Sequence, residues 1–305
     1  MSRPRRDARA VDGIVLLDKP AGMTSNAALQ RVKRHFRAAK AGHTGSLDPI
    51  ATGLLPICLG QATRVSTYLL DADKRYRAVA QLGVRTETGD CEGEVIARSD
   101  HALVPAAALA RAATNFLGRQ QQVPPMYSAL KRQGVPLYKL ARQGLEVARE
   151  PREIHIHDLR LLSCEADCFE FEVSCSKGTY IRTLAEDWAA AVGQCAHLVS
   201  LRRLELGGFG ETGMVGLEAI EALQDFTALD ALMLPLAAVF ADWPSVIADA
   251  ASVFHLSHGQ AVKLVGAPEH GRLVVFDDAG QLRGIAVIDA EGRVAPRRWF
   301  GSGNC

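Results

Sequence analysis

Residues 41–64, AGHTGSLDPIATGLLPICLGQATR, limit the fold of this chain more than any other stretch. Gly42, Gly45 and Gly53 free the backbone from Cβ clashes, while Pro49 fixes one φ and biases Asp48 toward an extended conformation. The expected product is a tight loop that presents one carboxylate, flanked by His43 and Thr44, beside a buried apolar segment. An Asp-Pro pair alone marks an ordinary turn whose side chain bonds its own backbone, so the meaning of Asp48 depends on what surrounds it.

With 305 residues and an apolar fraction of 48%, the chain can bury a sizeable core without disulfide support. The net charge of +1 conceals an asymmetry: residues 1–80 hold 14 Lys/Arg against 6 Asp/Glu, and the remainder 21 against 28. A basic segment around the Asp48 loop suits a polyanionic substrate, although a solvated face would have the same composition. Seven cysteines, none in a Cys-x-x-Cys pair, indicate neither a disulfide framework nor a zinc knuckle. The apolar run after the basic start is too short for a signal-peptide core, and no stretch reaches membrane-spanning length. The expectation is a cytoplasmic protein with reduced thiols and no membrane contact.

Taken in order, residues 1–12 read as a disordered basic tail carrying Arg3, Arg5, Arg6 and Arg9. A short buried strand over 13–17 precedes a helix that Thr24 or Ser25 caps, with Ala28, Val32 and Phe36 at four-residue spacing. After a short helix over 61–70, residues 74–82 alternate as a strand, placing Tyr76, Ala78, Ala80 and Leu82 on one face. An alanine-rich helix is predicted over 104–117 and an extended, proline-restricted segment over 120–130. Residues 131–152 mix six Lys/Arg with two Glu and Tyr138, a composition that suits phosphate and base contact or a solvated helix hairpin. Strands follow over 154–162, 168–175 and 197–206, with a helix over 179–192. From about residue 246 the pattern changes to short strands and glycine turns, read as a separate small β domain.

Several of these stretches together resemble the TruB family of tRNA pseudouridine synthases. The matching motifs are Gly-His-Thr-Gly-Ser-Leu-Asp-Pro with Ala-Thr-Gly-Leu-Leu-Pro at 41–64, Lys-Arg-Tyr-Arg at 74–77, the VPPMYSALKRQGVPLYKLARQG block, and Cys-Ser-Lys-Gly-Thr-Tyr-Ile-Arg-Thr-Leu around Arg182. They agree in order and spacing, and the similarity runs over roughly residues 13–210. Glu87 stands in the Thr-Glu-Thr-Gly-Asp turn where the family pattern leads one to expect Asp.

The resemblance implies an α+β fold, with a mixed, largely antiparallel central sheet, flanking helices and a PUA-like RNA-binding domain over 246–305 behind a catalytic domain over 13–245. It implies isomerisation of uridine 55 in the T loop of tRNA: the N1–C1′ bond breaks, the base turns over and C5 makes the new bond. No oxidation occurs, so the resemblance calls for no cofactor and no metal. Asp48 would be the catalytic carboxylate, whether it adds to C1′, adds to C6 or acts through a glycal. Desolvation would raise its pKa, so a cation is needed nearby, and Arg182 is the family's candidate, with a planar fork able to hold both carboxylate oxygens.

Tyr76 would stack on the base and take the C5 proton, while Tyr180 and the Leu201 backbone would line the uracil pocket. His43 would fill the space that an everted base leaves, and Lys19 would support the fold or a phosphate. The basic block, including Lys131 and Arg132, would contact the T stem-loop backbone. The implied partner is tRNA, with no obligate protein partner and a monomeric chain. Two other classes fit parts of the pattern. A carboxylate-dependent glycosidase would need a second acid or an activated water, and a non-catalytic RNA chaperone would need only the basic surface.

Overall fold

The computed structural model describes residues 8–100, 104–165 and 167–300. Its strands in chain order are β1 (Gly13–Lys19), β2 (Ala41–His43), β3 (Thr52–Leu59), β4 (Lys74–Leu82), β5 (Val84–Thr86), β6 (Val95–Arg98), β7 (Gly118–Gln122), β8 (Lys131–Arg132) and β9 (Val135–Pro136). There follow β10 (Arg152–Glu165), β11 (Cys168–Cys175), β12 (Ala196–Leu206), β13 (Val215–Gly216), β14 (Ser245–Ala248), β15 (Arg272–Asp277), β16 (Leu282–Ile288) and β17 (Val294–Trp299). The helices that matter for the site are α1 (Ser25–His35), α2 (Leu137–Ala141) and α3 (Ile181–Ala190).

Eight strands form the path β13-β1-β3-β12-β4-β11-β10-β7, with β2 added on β3. Pairing is antiparallel except at β1/β13 and β12/β3, so the sheet is mixed and largely antiparallel. A second sheet, β14-β15-β16-β17, closes the chain.

Local chemistry sets the elements that carry the site. Lys74, Tyr76, Ala78, Ala80 and Leu82 are all buried along β4, so the period-two alternation in the sequence corresponds to a real inward face. The Thr24 hydroxyl accepts a hydrogen bond from the Ala27 amide at 3.1 Å and starts α1. That helix stops at His35 instead of continuing to 38, because Arg37 adopts a left-handed φ of 52° that no helix tolerates. Residues 131–136 form a two-strand ribbon that turns through Gln133 and Gly134, both at positive φ, and then enter the short α2; they do not make a helix hairpin.

The N-terminal expectation needs correction. Residues 1–7, including Arg3, Arg5 and Arg6, lie outside the described residues. Arg9 is held, with its guanidinium 2.6 Å from Asp230 and 4.0 Å over the Phe226 ring, and Val11 is buried. A cation that has both a carboxylate and an aromatic face to satisfy it is not left to solvent or RNA.

The central sheet has two covered faces. One packs α1 and α3 over Leu17, Leu55, Tyr76, Ala78 and Phe171. The opposite face buries Ile14, Leu16, Leu54 and Leu206 together with Val274, Leu282, Ile285 and Phe300 of the C-terminal sheet. A smaller cluster around Val246, Leu273 and Val294 lies inside that sheet. The C-terminal strands therefore share a core with the central sheet. Truncating Ile285 to Ala should cost about 2–5 kcal/mol. Chemical denaturation should still show one transition, displaced to lower denaturant, whereas a C-terminal sheet that folds alone would melt separately.

Candidate active site

The Asp48 loop is anchored from three directions. Ser25, at the start of α1, donates its hydroxyl to the Leu47 carbonyl at 3.0 Å and accepts from the Leu47 amide at 2.7 Å. Lys19, fully buried at the end of β1, donates to the carbonyls of Pro20 at 2.8 Å, Ala51 at 2.7 Å and Pro49 at 3.4 Å. Burial lowers this lysine to about 8, against the pull of the nearby Asp48 carboxylate. Its three donors are committed to backbone, so Lys19 is a strut of the loop and not a phosphate ligand. Third, Gly53 lets β3 press on β12: a Cβ there would lie 2.3 Å from the Arg203 carbonyl oxygen, and its φ is 94°.

Arg182 arrives from the first turn of α3, far along the chain. That turn is fixed by Gln122, whose amide accepts from the Tyr180 N–H at 2.8 Å and donates to the Tyr180 carbonyl at 3.0 Å. The guanidinium is buried, with Nε 2.9 Å from Asp48 Oδ2. Its other nitrogens do not reach the second carboxylate oxygen: Nη1 donates to the Thr88 carbonyl at 2.6 Å and Nη2 to the Tyr127 carbonyl at 2.8 Å. The expected two-oxygen fork is thus replaced by a single contact, because the carbonyls orient the guanidinium sideways to the acid. Asp90, buried and 3.9 Å from Arg182 Nε, adds a second negative charge.

Asp48 keeps 38% of its side-chain surface open, so one carboxylate edge is presented and the other is paired. The surrounding protein pushes its carboxyl above the ordinary value, Arg182 pulls it back, and Asp90 pushes it up further. Tyr76 is buried on the neighbouring β4, where burial raises its phenol and the Arg203 charge opposes that rise. His43 has an unpartnered Nδ1; burial, seconded by Arg203, lowers its imidazolium, so the ring is neutral near pH 7. Leu201 is buried on β12 opposite Ala78, two residues from Arg203 on the same face. Tyr180 is half-buried at the start of α3, and burial raises its phenol.

Lys131 and Arg132 stand exposed on the β8–β9 ribbon, and neither bonds to the Asp48 cluster; Arg132 donates to the Ala148 carbonyl at 3.0 Å. A cavity of about 490 Å³ lies among Thr88, Tyr127, Arg149, Arg182 and Glu186, but Asp48 and Tyr76 do not line it. The open part of the Asp48 side chain thus lies outside that cavity. Among the described residues no group of three or more His, Cys, Asp or Glu is placed to hold a metal ion.

A carboxylate oriented by a buried guanidinium, beside a buried phenol, can act as a nucleophile or base toward a sugar–base junction. Models of known families match the chain in three consecutive pieces: TruB family pseudouridylate synthase, N-terminal domain, over residues 33–181; tRNA pseudouridylate synthase B C-terminal domain over 182–241; and pseudouridine synthase II TruB, C-terminal, over 244–300. The proteins named tRNA pseudouridine synthase B from Nitrosococcus oceani and Stutzerimonas stutzeri are 48% and 50% identical, each covering 98% of this chain and 98% of its own length. The chain belongs to the TruB family of pseudouridine synthases. Among solved structures, the crystal structure of a Cbf5-Nop10-Gar1 complex matches with a TM-score of 0.72 at 25% identity, covering 94% of this chain and 84% of that one.

In this TruB family member, sequence reasoning overlooked Asp90, Gln122 and Arg203. The strand expected over 197–206 carries Arg202 and Arg203 side by side. Alternation in β12 sends Arg202 outward to Asp18 at 3.0 Å and Glu211 at 2.9 Å, and Arg203 inward. The opposed influences on Asp48 yield a pH expectation. Activity that needs the ionised carboxylate should fall as pH drops through a value above the usual carboxylate range. In Arg182→Met, which loses the countercharge, that acid limb should move to higher pH in single-turnover profiles of the residual rate; an unmoved limb would mean that Arg182 does not govern the charge of Asp48.

Proposed function

We propose that this synthase converts uridine 55 in the T loop of tRNA to pseudouridine, with Asp48 as the catalytic carboxylate acting on an everted nucleoside. The observation that carries this reading is the Asp48–Arg182 pair: a 2.9 Å contact that charges and orients the acid while 38% of its surface stays available to a substrate. The relatives' name, tRNA pseudouridine synthase B, supports the choice of substrate.

In this mechanism the carboxylate traps or stabilises the electron-poor sugar as the N1–C1′ bond breaks. The detached uracil turns over and C5 forms the new bond to C1′. A base must then remove the C5 proton, and the electron pair of that C–H bond returns to the ring. Tyr76, two residues along β4 from the Ala78–Leu201 pair of β4 and β12, is assigned to stack on the uracil and accept this proton. Tyr180 and the Leu201 backbone border the base. Neutral His43 is assigned to the space vacated by the everted nucleotide, whose removal from the stack costs a few kcal/mol. Lys131, Arg132 and the rest of the basic block contact phosphates, and the C-terminal sheet extends the RNA-binding surface as a PUA-like domain. Among the described residues no helix is long and apolar enough to cross a membrane, and the proposal places a monomeric enzyme in the cytoplasm with its tRNA.

The decisive assay is release of tritium from C5-labelled uridine in a T-arm hairpin, with product analysis of the RNA. Wild type should release label and leave isomerised RNA with no free uracil. Asp48→Asn should bind the hairpin normally and lose turnover by at least about four orders of magnitude, as expected for removal of a covalent participant. Near wild-type turnover in that variant would remove Asp48 from its role, and free uracil would indicate a glycosidase. Affinity for the hairpin should also fall steeply with salt, since phosphate contacts release counterions; a flat plot would remove the basic block from recognition.

A further inference from the structure

Arg203 is the buried charge that the catalytic scheme leaves unused. It is 1% exposed, in the interior of the sheet. Among the described residues its hydrogen bonds run to the Leu54 carbonyl at 2.6 Å and the Gly45 carbonyl at 3.2 Å, and no salt bridge to a carboxylate accompanies them. Burying a guanidinium without an anion is costly, and a well-packed apolar side chain in its place would avoid that cost. The position therefore calls for something that benefits from a positive charge.

The geometry identifies the beneficiary. Arg203 on β12 is the register partner of Tyr76 on β4, and directly opposed residues of an antiparallel pair project to the same face. Both side chains are buried on that face, the Arg203 charge favours the Tyr76 phenolate, and the hydrogen bond to the Gly45 carbonyl fixes the guanidinium beneath the Asp48 loop. Gly45 has a φ of 100°, and a Cβ at that position would lie 3.6 Å from Arg203 Nη1, so the loop passes close over the charge. Arg203 thus touches both the strand that holds the phenol and the loop that holds the acid.

We propose that Arg203 is a positioning residue that holds the Tyr76 hydroxyl beside the Asp48 loop and stabilises the phenolate that takes the C5 proton of the rearranged uracil. This rests on the assignment of Tyr76 as proton acceptor. In the step, the C5–H bond breaks, its electrons restore the ring double bond, the proton forms Tyr76 O–H, and that proton later exchanges with solvent. Other groups face the pair: Cys175 and Asp48 disfavour a phenolate on Tyr76, while burial first, and the Arg203 charge after it, holds Lys74, Lys19 and His43 toward their neutral forms. Arg203 is therefore the charge that favours the phenolate against burial and two potential anions.

The test uses the full chain as wild type, Tyr76→Phe, Arg203→Met and Arg203→Lys. Ultraviolet difference titration, with the Tyr76→Phe curve subtracted, reads the ionisation of this one phenol in the absence of RNA. It should occur at least about one pH unit higher in Arg203→Met than in wild type, a tenfold change in ionisation equilibrium, and at an intermediate pH in Arg203→Lys. Single-turnover reaction of hairpin carrying C5-deuterated uridine should show a larger isotope effect in both Arg203 variants, with the rising limb of the rate displaced to higher pH. Hairpin affinity should stay within about twofold of wild type. Where Arg203→Met does not fold, the charge-retaining Lys variant carries the test alone, since its shorter, compact head cannot keep the contacts to Leu54 and Gly45 that place the charge opposite Tyr76. Unchanged Tyr76 titration in a folded Arg203 variant overturns the proposal, as does slowed turnover with an unchanged isotope effect. Tritium release at wild-type rate from Tyr76→Phe would overturn the proton step and this proposal with it, leaving the assignment of Asp48 intact.

Discussion

A charged pair between two distant segments holds the site together. Asp48 belongs to a loop between β2 and β3, and Arg182 to the first turn of α3, and their contact joins parts of the chain that share no local structure. Breaking one side of the pair leaves a charge in protein without its partner, a loss that solvent at the open edge of Asp48 holds below the roughly 3–5 kcal/mol of a fully buried pair. The same guanidinium ties the Thr88 turn and the Tyr127 segment through their carbonyls. One side chain therefore sets the mutual arrangement of the acid, the Thr-Glu-Thr-Gly-Asp turn and the base of the β8–β9 excursion.

The supporting residues act by hydrogen bonding backbone instead of by pairing charges. Lys19, Lys74 and Arg203 are buried cations whose hydrogen bonds run chiefly to carbonyl oxygens at loop ends. A carbonyl at a strand terminus has no ladder partner and must be satisfied by something, and a long cationic side chain can reach several at once. The outcome is a rigid floor of positive charge under a loop with a single exposed acid. Lys19 favours the ionised Asp48 carboxylate against the burial that opposes it, and Arg203 adds to the burial that opposes protonation of His43.

Much of this was legible in the sequence wherever the signal was local. The alternation in 74–82 gave the inward face of β4, Thr24 gave the start of α1, and the glycines around Asp48 gave a tight loop. Resemblance to a family joined Asp48 to Arg182, which no local pattern could do. Non-local chemistry stayed hidden. The single-point contact of Arg182 follows from carbonyls at Thr88 and Tyr127, whose positions depend on the tertiary fold. Arg9 read as part of a disordered tail because its carboxylate, Asp230, lies more than two hundred residues along the chain. Arg203 stands next to Arg202 on one strand, and composition alone does not tell which of two such neighbours points inward.

The common core of the two sheets also bears on how the chain tolerates shortening. Ile14, Leu16 and Leu54 lie on the reverse side of the strands that carry the Asp48 loop, and β15, β16 and Phe300 help to cover them. A chain ending before Ser245 would bare a continuous oily surface there, of the kind that drives self-association. The last sixty or so residues are thus a lid for the enzyme's own interior, and a fragment without them would be expected to clump before its affinity for RNA could be judged.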